Sequence, residues 1–107
     1  MIYEQWLSRF TDWRPSTLYW QRLSIAERYG IEEIQTVFNE IFKEAKADYK
    51  LMTELIIVLM HKRTVECEEI ENSKLCALYG ELYDKANQYA LSTFDDEELI
   101  YYNSLLV

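Results

Sequence analysis

An all-α fold, an irregular bundle of four to six helices around one central apolar helix, is what this sequence predicts, and three observations predict it. Two glycines and one proline in 107 residues leave few breakers, while half the residues are hydrophobic, enough for one domain spanning residues 1–107 with a real core. Apolar residues recur at helical spacing from Ile31 onward. The run Leu51 to Met60, LMTELIIVLM, has only Thr53 and Glu54 as polar members, and a helix apolar nearly all round belongs inside a protein. It is too short to cross a bilayer, which needs roughly 20 apolar residues, and Asp48, Lys50, His61, Lys62 and Arg63 flank it closely.

Ile2, Trp6, Leu7 and Phe10 share one helical face and predict a short helix from about Ile2 to Phe10, with Thr11 to Pro15 as a connection. Pro15 followed by Ser16 and Thr17 is a helix start, either hydroxyl being able to cap it. That helix should bury Leu18, Leu23, Ile25 and Ala26 and end at Gly30. Ile34, Val37, Phe38, Ile41, Phe42 and Ala45 then form an amphipathic stripe that stays in phase through Leu59. One helix of about 35 residues would be about 50 Å long, too long for a domain with a radius of gyration of about 13 Å. A break at Lys46 to Asp48 is therefore expected, with Asp48 as N-cap of the central helix.

Glu68 to Ser73, EEIENS, reads as a loop, and Asn72 or Ser73 can cap the next helix, whose stripe runs from Leu75 to Ala90. Gly80 inside it should allow a close helix approach. Asp95 with Glu98 forms a capping-box start for a short last helix, and Leu105, Leu106 and Val107 make an apolar tail expected to dock on the domain or on a partner.

The pieces IEEIQTVFNE, DYKLMTEL and LYDKANQYA, followed by EELIYY, resemble an uncharacterised family of small acidic helical proteins from bacterial mobile-element gene clusters, over about Pro15 to Tyr102. The resemblance implies a helical fold and a mobile-element context and carries no catalytic residue across.

The formal charge of −8 lies entirely in the C-terminal part: residues 1–63 hold nine acids and nine bases, residues 64–107 ten acids against Lys74 and Lys85. Such a surface repels duplex DNA and anionic membrane and suits solubility or a basic partner. IAERYGIEEIQTVFNEIF has the outline of a helix-turn-helix, yet Glu32 and Glu33 would open the reading helix, leaving Gln35 and Asn39 as its only suitable readers. Duplex DNA is not an expected partner.

His61 is the only histidine, and its spacing to Cys67 and Cys76 matches no zinc site; it reads as a helix-end residue favoured by the C-terminal dipole. Cys67 and Cys76 flank the loop and could meet, but two thiols near a helical turn are usually just thiols. Two cysteines and an N-terminus, MIYEQWLSRF, without the basic start and apolar core of a secretory signal point to the cytoplasm. No phosphate loop, nucleophile elbow or kinase motif occurs, so neither an enzyme, a cofactor nor a metal is expected.

The most distinctive chemistry is WLSRFTDWRPSTLYWQRL, which holds all three tryptophans interleaved with arginines. Core packing, a protein interface and single-strand stacking all use such residues. The functional expectation is a non-enzymatic protein-binding or regulatory module, self-associating, with Trp13, Arg14, Trp20 and Arg22 as contact residues. The alternative is an acidic decoy that presents Glu66, Glu68, Glu69, Glu71, Glu81, Asp84, Asp95, Asp96, Glu97 and Glu98 to a basic groove on a nucleic-acid-handling protein.

Overall fold

The computed structural model describes residues 15–106, in five α-helices and one turn of π-helix: α1 (Pro15–Glu27), α2 (Ile31–Ala45), α3 (Tyr49–Thr64), the π-turn (Val65–Glu69), α4 (Ser73–Thr93) and α5 (Asp96–Leu106). No strand occurs among the described residues. The helix expected over Ile2 to Phe10 and the start of the connection after it lie outside them.

α3 is the strut of the bundle, packed most extensively on α4 and also against α1, α2 and α5. Every residue from Met52 to Leu59 is buried, Thr53 and Glu54 included. Thr53 resolves its own burial, because its hydroxyl donates to the Tyr49 carbonyl one turn back at 2.9 Å. The break before α3 falls where expected: Asp48 is extended, and its carboxylate accepts the Lys50 amide at 2.9 Å.

α2 buries Ile34, Phe38, Ile41, Phe42 and Ala45, the expected stripe, with Val37 packed at its edge. α1 departs from expectation. It begins at Pro15, but Ser16 is fully buried with its hydroxyl unpartnered and is not the cap. Leu23 and Ala26 face the core together with Tyr19, whereas Leu18 and Ile25 are exposed. Gly30 has φ +115°, a value L side chains rarely adopt, and turns the chain into α2.

After α3 the chain does not enter a loop at Glu68. The π-turn carries it to Glu69, closed by the Ile70 amide on the Val65 carbonyl at 2.9 Å, so the connection shrinks to Ile70–Asn72. Glu71 there has φ +60°, and the Asn72 side chain caps α4 by accepting the Leu75 amide at 3.2 Å. This reversal brings the Cα atoms of Cys67 and Cys76 to 4.9 Å, and the two are joined in a disulfide, correcting the reading of them as simple thiols. Gly80 is not required for helix approach either, since a Cβ there would meet only the Arg63 side chain at 3.8 Å, an ordinary contact.

The capping box of α5 forms as expected, with Asp95 accepting the Glu98 amide at 2.9 Å and Glu98 accepting the Asp95 amide at 3.0 Å. Edge-to-face contacts of Tyr49 with Phe94 and Tyr101, and of Phe94 with Tyr102, fasten α5 to the start of α3. Of the expected apolar tail, Leu105 is exposed on α5, and Val107 lies outside the described residues.

Candidate functional site

Two of the four expected contact residues, Trp13 and Arg14, lie outside the described residues. The other two are on α1 and both have internal partners. Trp20 is half-buried, and the Lys62 ammonium sits over its ring 4.2 Å from the centroid. Arg22 reaches across to α2, donating to Glu44 at 2.8 Å and to Glu40 at 3.4 Å. Its side chain keeps 29% exposure, and the acids are more exposed still, so these pairs position the guanidinium more than they stabilise the fold.

The expected contact residues are not the most open apolar groups of α1. Leu18 and Ile25, seven residues apart, share one helical face, with Gln21 and Arg22 between them on the same side. Ile25 is 54% exposed, and Tyr29 in the following turn is 77% exposed. Leu18, Ile25 and Tyr29 leave an outward apolar stripe on α1 and the turn after it, with Arg22 and Arg28 as its cations, whereas Ile31 lines a shallow pocket with Glu27, Ile34, Asn72 and Leu75 on the side of α4. Periodicity that counts only aliphatic residues places Leu18 and Ile25 in the interior; the signal for the opposite arrangement is Tyr19, whose face with Leu23 and Ala26 is the alternative inner face of α1.

The interior holds a polar cluster that no sequence pattern announces. Lys62, in the last turn of α3, is 4% exposed, and its ammonium donates to Ser24 at 2.6 Å and to Glu27 at 2.8 Å, both on α1. The Tyr79 hydroxyl on α4 donates to the same Glu27 oxygen at 2.6 Å. Burial pulls the Lys62 ammonium below its ordinary range, partly offset by the Glu27 hydrogen bond and charge. Burial pushes the Tyr79 phenol up, and its hydrogen bond to Glu27 pushes it further. Three helices are thus held by one carboxylate.

Glu66, in the π-turn, is also buried, and its Oε2 has no hydrogen-bond partner. Burial raises its carboxyl above the usual range, Glu27 adds to the rise, and Lys62 opposes it. Glu66 follows buried Lys62 by four residues and Val65 follows it by three, so both continue the inner face of α3 into the π-turn. Lys62, Glu27 and Tyr79 bind one another, and the cluster ties α1 to α3 and α4.

The acidic array is thinner than its sequence. Glu66 is withdrawn into the interior and Glu98 is half-buried as a cap, while Glu68, Glu69, Glu71, Glu81, Asp84, Asp95, Asp96 and Glu97 are exposed. Among the described residues, no group of three or more His, Cys, Asp or Glu side chains is arranged to hold a metal ion. Nor is any helix among them long and apolar enough to cross a membrane. No protein-family model matches the chain, and neither a curated protein nor a solved structure is similar enough to it to count as a match.

Proposed function

We propose that the protein is a non-enzymatic binding module that acts through protein contacts, self-association included, and that the stripe Leu18, Ile25 and Tyr29, flanked by Arg22, is its contact face. The observation that carries this reading is the inversion of α1. A helix whose inner face is filled by Tyr19, Leu23 and Ala26 still presents two large aliphatic side chains outward on one line. Apolar groups grouped on one face with an arginine beside them have the composition of an interface centre. Arg22, held by Glu40 and Glu44, is pre-positioned, which lowers the entropy cost of using it in a contact.

Sedimentation velocity over a concentration series tests it. Wild type should move from monomer toward dimer with rising concentration, and Ile25→Asp should remain monomeric with the helical content of wild type. Identical sedimentation of the two proteins would overturn the reading. A cytoplasmic location fits the module as proposed, with one consequence: in a reducing compartment Cys67 and Cys76 spend part of their time as thiols.

A further inference from the structure

The disulfide is asymmetric in its surroundings. Cys67 lines an open cleft of about 310 Å³ between the end of α3, the π-turn and α4, together with Met60, Arg63, Thr64, Glu68 and Tyr83. Cys76 is not part of that wall; it closes the first turn of α4, its amide bonded to the Asn72 carbonyl at 2.8 Å. Helical side chains lean toward the N-terminus of their helix, so the Cys76 sulfur lies toward the amide-rich end of α4. Both cysteines are half-buried, but Cys67 alone borders the cleft, and Cys76 sits in the first turn of α4, where a helix N-terminus favours negative charge.

We propose that Cys67–Cys76 is a thiol-exchange site for a small aminothiol carrying both a carboxylate and an ammonium group, with Cys67 the sulfur attacked. Arg63, stacked over the Tyr83 ring at 5.8 Å, is the cation for the carboxylate, and Glu68 on the same wall is the anion for the ammonium. The Thr64 hydroxyl is turned away, donating to the Met60 carbonyl at 2.9 Å. The incoming thiolate forms a bond to Cys67 Sγ as the bond between Cys67 and Cys76 breaks, and the electron pair leaves on Cys76 as a thiolate. Helix N-termini lower thiol pKa values, and a sulfur of lower pKa leaves faster, so the position of Cys76 directs the break. A second thiolate then attacks the outer sulfur of the adduct, releasing Cys67 as a thiolate and the small molecule as its own disulfide: two thiols are oxidised and one protein disulfide is reduced. The exchange unties the π-turn from α4.

Reduced glutathione is the probe, reacted briefly with the air-oxidised full chain, quenched in acid, alkylated and digested with trypsin. The sequence separates the two sulfurs, since cleavage after Arg63, Lys74 and Lys85 puts Cys67 and Cys76 on different peptides. The expected early product carries glutathione on the peptide with Cys67 and the alkyl group on the peptide with Cys76. Glutathione mainly on Cys76, an even split, or no adduct overturns the proposal, as does failure to find the two peptides crosslinked before reaction. Arg63→Gln should slow exchange with glutathione several-fold while leaving exchange with neutral 2-mercaptoethanol unchanged. Equal slowing for both thiols would assign Arg63 a structural role and remove it from the site.

Discussion

Lys62 of α3 and Glu27 of α1 meet at 2.8 Å, with the lysine side chain 5% exposed and the glutamate 21%. At that burial neither charge is tolerated without the other, and Ser24, Tyr79 and the Trp20 ring complete the shell around them. Truncating one partner should therefore cost more than replacing both. Lys62→Met should lower stability by about 3 kcal/mol in urea denaturation, whereas Lys62→Met combined with Glu27→Leu should recover much of that loss. A double variant as unstable as the single one would show that packing around Lys62, and not its charge, holds α1.

Glu66 predicts a dependence on pH. Its folded carboxyl titrates above the ordinary value of 4.5, so between that value and the raised one the native state binds more protons than the unfolded chain. Stability then falls as pH rises through this window, and the penalty is fully present above it. Glu66→Met, which removes the unpartnered oxygen, should gain on the order of 1 kcal/mol at pH 7. The gain over wild type should shrink as pH is lowered toward 4.5. A gain independent of pH would mean that ionisation of Glu66 is not the source of the penalty.

Gly80 lies mid-helix in α4 with room for a methyl group, since the nearest atom to a Cβ placed there is Arg63 Cδ at 3.8 Å. Gly80→Ala should stabilise the protein by roughly 1 kcal/mol, the helix propensity difference, read as a higher denaturation midpoint. A lower midpoint would show that α3 and α4 pack more tightly there than this separation implies.

The parts of the fold legible in the sequence are those where a single local rule decides. The stripe of α2 is one-sided, Asp95 has Glu98 three residues on for a capping box, and the decamer in α3 has no polar face to expose; the break at Asp48 follows instead from the length a single helix would have had. α1 is ambiguous in the sequence because apolar side chains occur around its whole circumference, and only the neighbouring helices choose between Tyr19 and Leu18. Lys62 has the local pattern of a charged flank to the central helix; its burial depends on Glu27, far away in the chain. The disulfide is open in the sequence because nine residues of separation do not fix a distance. The π-turn and the positive φ of Glu71 do, and no residue pattern announces either.

The claim that α1 turns a contact face outward is tested most directly by methyl NMR on a dilution series. Ile25 and Leu18 resonances should shift with concentration while those of the buried Ile56 and Leu59 stay fixed. Concentration-independent spectra, or shifts confined to other exposed residues such as Leu91 and Ile100, would contradict it.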